Sequence, residues 1–229
     1  MPQHVLNRYP VVTTGTSQKE VVPAPPTGTA RIVKYVDCFN LDNKPHTFAV
    51  GLYNGVATYG LKLITIAAGA SGHVPIEHGA YVLKPGISLF AVLAASANTE
   101  SHVTAHCVDE TDPNRASEYG VQLSLTNDQA QVVVVPSPPI NHKRIVFKVS
   151  ILNTDNTPCT YEICLNDGST IWCQESNTLT SGSAAEYPHE AAAFVLNHGD
   201  TLEVTMPADA STLQSRVTTH WVDEPTLYQ

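Results

Sequence analysis

The chain has 229 residues, 42% of them hydrophobic and only 14% charged, with 16 prolines, 13 glycines and a formal net charge of -9. So many turn formers beside so many apolar residues disfavour a helix-rich or disordered protein, and 12 scattered Lys and Arg disfavour a nucleic-acid surface, which needs clustered cations. No apolar run is long enough for a membrane-crossing helix and the first residues lack the pattern of a signal peptide, so a soluble, non-exported protein engaging neither nucleic acid nor membrane is expected.

Residues 1–16 carry Pro2, Pro10 and Gly15 with little periodicity and are expected to form an extended N-terminal arm. A first domain over residues 17–112 opens with the cluster Pro23, Pro25 and Pro26, followed by the strand candidate Arg31-Ile32-Val33. The pattern N-x-D-N-x-P-x-T-[FY] then spans Asn40 to Phe48. Asn and Asp accept left-handed backbone angles and bond their own main chain, and Pro fixes the following φ, so this is a strand-to-strand turn. Phe48, Val50 and Leu52 alternate with Ala49 and Gly51 as a half-buried strand does. Further strands are expected at Ala80 to Leu83, Ile87 to Leu93 and His102 to Val108, before a linker over residues 113–126.

The remainder repeats the first domain. Arg144-Ile145-Val146 stands 113 residues after Arg31-Ile32-Val33, Pro136, Pro138 and Pro139 repeat the proline cluster, and Asn153 to Tyr161 repeats Asn40 to Phe48. The same offset pairs Leu52 with Leu165, Gly55 with Gly168, Gly69 with Gly182, Pro75 with Pro188, Val82-Leu83 with Val195-Leu196, and Gly86 with Gly199. At the end it becomes 114, matching His106 with His220 and Val108-Asp109-Glu110 with Val222-Asp223-Glu224. A second domain over residues 127–229 follows, with strands at Ala193 to Leu196, Thr201 to Thr205 and Arg216 to Val222. Ile145, Phe147, Val149 and Ile151 are expected to form one inward row. The fold class is all-β: two tandem antiparallel β-sandwich domains, jelly-roll or immunoglobulin-like, arising from internal duplication.

Nothing in this pattern spells catalysis, and the expectation is that the chain is not an enzyme. His102 and His106 have a spacing that joins imidazoles on a helix, but on a strand they stand about 13 Å apart; both His106 and His220 are expected to face outward. Asp109-Glu110 and Asp223-Glu224 are neighbours on strands, so their carboxylates point to opposite faces and read as solvated strand ends. Ser181-Gly182-Ser183 lies in a turn without a nearby base, and no phosphate, dinucleotide or zinc-protease signature occurs. Cys38, Cys107, Cys159, Cys164 and Cys173 form no C-x-x-C pair and mostly lack counterparts in the other copy, so free thiols are expected, with no metal, no cofactor and no catalytic residues. Tyr53, Tyr59, Trp172 and Tyr187 could furnish a sugar-stacking platform, a glycan being the less favoured ligand.

The block Arg144-Ile145-Val146-Phe147 through Asn153-Thr154-Asp155-Asn156-Thr157-Pro158, followed by Thr178-Leu179 and Val195-Leu196-Asn197-His198-Gly199-Asp200-Thr201-Leu202, resembles small β-sandwich structural proteins of tailed-bacteriophage virions. The first copy departs from the G-D-x-L element, having Gly86-Ile87-Ser88-Leu89. The resemblance implies a non-enzymatic capsid decoration or cement protein, made in the host cytoplasm and located in the virion. Its partners would be the major capsid protein lattice and further copies of itself in a homo-oligomer. A phage neck or tail subunit and a carbohydrate-binding receptor module are the alternatives.

Overall fold

A computed structural model describes residues 5–74, 81–97, 101–126, 131–187, 194–205 and 215–226; the Pro75 and Pro188 match and the strand starts expected at Ala80 and Ala193 lie outside them. The chain divides into two units, Met1–Ser117 and Glu118–Gln229. The first holds β1 (Val5–Thr13), β2 (Lys19–Val22), β3 (Ala30–Phe39), β4 (His46–Tyr53), β5 (Thr58–Ile66), β6 (Ser71–Val74), β7 (Tyr81–Leu83), β8 (Ser88–Leu93) and β9 (Ser101–Glu110). A short helix, α1 (Pro113–Glu118), follows. The second holds β10 (Tyr119–Thr126), β11 (Val132–Val135), β12 (His142–Leu152), β13 (Cys159–Asn166), β14 (Ile171–Leu179), β15 (Ala184–Tyr187), β16 (Phe194–Leu196), β17 (Thr201–Thr205) and β18 (Ser215–Pro225).

The protein is all-β and its described strand pairs are antiparallel. In the first unit one sheet has the order β1-β9-β3-β6, with β7 also on β3, and the other β2-β8-β4-β5. The second unit repeats both orders, as β10-β18-β12-β15, with β16 on β12, and β11-β17-β13-β14. There a single core draws on both sheets: Val146, Val149, Ile151 and Trp221 pack with Val134, Tyr161, Ile163 and Leu202. Phe48, Val50 and Leu52 are fully buried in the first unit, as their alternation predicts.

Three bulges recur at equivalent places, which shows that the units share backbone detail as well as strand order. The register slips at Val21 and Val134, at Lys34 and Phe147, and opposite the Val50-Gly51 and Ile163-Cys164 steps. A bulge moves every later side chain to the other face. This corrects the inward row expected on β12: before the slip Arg144 and Val146 are buried, after it Val149 and Ile151 are, while Ile145 and Phe147 leave the core.

Two boundaries are also corrected. The expected arm is β1, paired along its whole length with β9 from Val5 opposite Asp109 to Thr13 opposite Ser101. Much of the expected linker is β10, paired with β18 from Tyr119 opposite Val222. In both cases the strand completes a sheet whose next member would otherwise expose a row of unpaired backbone groups.

Each unit is braced in the same way. Arg31 donates from Nε and Nη2 to the two carboxylate oxygens of Asp109 at 2.6 and 2.8 Å, and from Nη1 to the Pro23 carbonyl at 2.9 Å. Arg144 does the same with Asp223 at 2.6 and 2.7 Å and with Pro136 at 2.8 Å. The buried Asn40 donates to the Lys44 and Ile66 carbonyls at 2.8 and 3.0 Å, and Asn153 to those of Thr157 and Leu179 at 2.9 and 3.0 Å. The side-chain oxygens of both asparagines accept the amides of Asp42 and Asp155.

Removing one partner of a buried, hydrogen-bonded ion pair costs about 3–5 kcal/mol, against about 1 kcal/mol or less for an exposed pair. Asp223→Ala is therefore expected to lower the urea-unfolding free energy of the second unit far more than Glu224→Ala, which breaks only the exposed Lys143 contact at 3.1 Å. Equal effects would refute the bracing role. Deleting residues 1–13 strips β9 of one of its two partners and is expected to lower the thermal midpoint of the first unit; an unchanged midpoint would show that the sheet is complete without β1.

Candidate interaction surfaces

The residues that could have carried chemistry are largely engaged in holding strands. Asp109 and Asp223, expected as solvated strand ends, are the acceptors of the two buried arginines. Glu110 is buried, 3.7 Å from Arg115 Nε, and accepts the Asp112 amide; Glu224 alone keeps the expected exposed role, beside Lys143. The Ser181 and Ser183 hydroxyls donate to the Asp155 and Thr180 carbonyls, both at 2.6 Å. Of the four aromatic candidates, Tyr59 and Tyr187 are buried, while Tyr53 lies in the first unit and the exposed Trp172 in the second.

The repeated histidines have different fates. His106 is partly exposed, stacked on Tyr35 at 4.2 Å between ring centroids and 3.4 Å from the Asp37 carboxylate. His220, expected to face outward at a surface or an interface, stands outside the hydrophobic core and is fully buried. Its cross-strand neighbour is Lys148, where His106 has Tyr35. Burial first, and the positive Lys148 second, push the imidazole down to about 3.

Cysteine usage is likewise corrected. Cys164 and Cys173 form a disulfide across the β13–β14 hairpin, whereas Cys38, Cys107 and Cys159 are free and buried. Both bonded cysteines lie in one copy, so comparing copies conceals their pairing. Burial raises the Cys38 and Cys107 thiols to about 12, which leaves them unreactive.

Two open surfaces stand out among the described residues. On the first unit, the face of β3 turned from the core presents Tyr35, Asp37 and Phe39, beside His73 on β6 and His102 and His106 on β9. Asp37, Phe39, His73 and His102 line a shallow groove of about 490 Å³. The alternation of Tyr35, Asp37 and Phe39 with Val36 and Cys38 already contained this face, but only the bulge at Lys34 tells which row looks outward. On the second unit, β14 is a sheet edge and mostly exposed. Its entry turn is built by Asp167, which accepts from the Ser169 hydroxyl and the Ser169 and Thr170 amides and, at 3.2 Å, from the indole of the exposed Trp172. Those hydrogen bonds, the Ser169 hydroxyl foremost, hold the carboxyl well below the usual carboxylate range.

The chain matches no family model and no curated protein. Among solved structures it is similar to N-glycanase F (PNGase F), with 9% identity, a TM-score of 0.42 and coverage of 97% of this chain and 96% of that one. The major capsid protein P2 from bacteriophage PM2 gives 10% identity, a TM-score of 0.40 and coverage of 96% and 98%. A chain from the structure of Sulfolobus Turreted Icosahedral Virus gives 11%, 0.32, and coverage of 97% and 61%. Viral structural proteins are thus among the neighbours, at a level of likeness that bears on neither activity nor partner.

The buried His220 makes stability depend on pH. The unfolded ring takes up a proton near its ordinary 6.5, which the folded ring refuses until about 3, so this contribution is complete above the ordinary value and is lost as pH falls toward the folded one. Between about pH 7.5 and about pH 5 the urea midpoint is expected to fall more for the natural chain than for His220→Gln. Parallel declines would show that His220 is not the group responsible.

Proposed function

We propose that the chain is a non-enzymatic structural subunit of a virion, made of two jelly-roll domains derived by internal duplication and serving as a capsid decoration or cement protein on a tailed-phage head. The observation that carries this reading is the use of polar side chains. The conspicuous carboxylates Asp109 and Asp223 brace β-strands in mirrored positions, and the same three bulges recur in each unit, so the molecule is built twice as a scaffold. The strand orders support a jelly roll over an immunoglobulin-like topology, since in each unit a five-stranded sheet, with β6 and β7 (or β15 and β16) both on the same strand, faces a four-stranded one and the first and last strands are adjacent. The sequence resemblance supplies the virion setting.

A cement protein holds a lattice through many individually modest contacts, and binding only the assembled state stabilises it by mass action. Two linked domains raise the effective concentration of the second contact once the first has formed. The major capsid protein lattice is the partner, and homo-oligomers suit sites that repeat by symmetry. A carbohydrate-binding receptor module is the second reading, favoured by the surface-fixed indole of Trp172.

Heads assembled with and without the protein separate these readings. Regular density on the shell in electron micrographs and a higher temperature of head disruption are expected. Density confined to the tail, or glycan-array binding abolished by Trp172→Ala without any effect on heads, would replace the cement role.

A further inference from the structure

The duplication supplies an internal control for one patch of the second unit. In the first unit Gly51 on β4 faces Gly60 on β5 and Phe90 on β8, and Ala49 lies two residues before Gly51 on the same strand. The patch is apolar and close-packed: a Cβ on Gly51 would come within 2.5 Å of Phe90 Cζ. At the same places, 113 residues later, the second unit has Glu162, Cys164, Cys173 and Glu203. Every one of the four positions has become a residue type that ligates metal ions.

Three of the four side chains converge. Cys164 is the cross-strand partner of both Cys173 and Glu203, and one ligand atom from each of Glu162, Cys164 and Cys173 falls within 4.8 Å of the others. Cys173 Sγ stands 3.9 Å from Glu162 Oε2. The fourth group is the second, independent sign. Glu203 is 5% exposed, its Oε1 accepts from Asn166 Nδ2 at 2.9 Å and Thr201 Oγ1 at 3.0 Å, and its buried Oε2 meets no hydrogen-bond partner among the described residues. A buried carboxylate oxygen without a donor is costly unless a cation stands near it.

We propose that Glu162, Cys164 and Cys173, backed by Glu203, form a thiophilic divalent-cation site on β13 and β14 that opens when the Cys164–Cys173 disulfide is reduced. A small-molecule dithiol supplies two electrons and two protons, the S–S bond breaks, two thiols form, and the reductant leaves as its own disulfide. A cation of the zinc class then displaces the two thiol protons and takes two sulfurs and one carboxylate oxygen, with a fourth position for Glu203 or water. The disulfide and the metal are alternative clasps between β13 and β14, one for oxidising and one for reducing conditions. This site stands apart from the virion reading and survives its failure.

The test uses the full chain and zinc alone. Denatured without reductant, the protein is expected to titrate as three thiols, Cys38, Cys107 and Cys159, and after reduction as all five cysteines. The folded, reduced chain is expected to retain one equivalent of zinc through dialysis and the oxidised chain none. Cobalt in its place should give thiolate-to-metal charge-transfer absorption. Cys173→Ser should abolish retention and Glu203→Gln weaken it about ten- to hundredfold, as loss of a supporting group does. Should Cys173→Ser fail to fold, Glu162→Gln reads the same site from an exposed position. No retention by the reduced chain, or retention unchanged in these variants, overturns the proposal.

Discussion

A guanidinium withdrawn from water must find carboxylate and carbonyl oxygens in fixed places, and in this protein that requirement is met twice by the same arrangement. Arg31 joins β3 to β9 through Asp109 and reaches back to the Pro23 carbonyl, just past the end of β2. One side chain thereby ties together the two strands at the centre of one sheet and the segment arriving from the other. Arg144 repeats this with Asp223 and Pro136. Each also carries an aromatic roof, Tyr9 at 5.0 Å in the first unit and Trp221 at 4.6 Å in the second, which shelters the pair and adds a cation–π contact. The proline clusters that first reveal the repeat lie where these arginines need a rigid carbonyl.

What the sequence makes legible is what the brace and the turn demand. Arg31, Asp109, Asn40 and their second-copy counterparts have fixed partners, so they persist and expose the offset. The bulges are invisible for the opposite reason: they are set by how two strands slip past each other, and Lys34 and Phe147, which mark the same slip, have no chemistry in common. Reading straight alternation across Phe147 sends Ile145 and Phe147 inward when they are not in the core. The edge strands diverge likewise. Tyr119, Val121, Leu123 and Leu125 do alternate, but β1 and β10 share too little sequence for the repeat to mark them.

Equivalent faces of the two units have also separated in character. Tyr35 and Asp37 are open to solvent, whereas Lys148 and Ser150 at the same positions are buried, as is His220 against the partly exposed His106. The two units thus carry one strand framework with two different sets of side chains on these faces. An alteration of one set leaves the brace beneath it to specify the fold. The exchange of Ala49, Gly51, Gly60 and Phe90 for Glu162, Cys164, Cys173 and Glu203 is such an alteration, confined to side chains and leaving strand register and bulge in place.

The chain's two tryptophans fall in opposite settings. Trp221 is 8% exposed beneath Arg144, while Trp172 is 54% exposed and adjoins Cys173. Their indole emission therefore divides by wavelength, a blue component from the enclosed ring and a red one from the wet ring. A neighbouring disulfide quenches indole fluorescence and a thiol does so less. The molecule thus contains its own optical gauge: brightening at the red edge follows the state of the hairpin, and a shift of the blue component follows the core of the second unit.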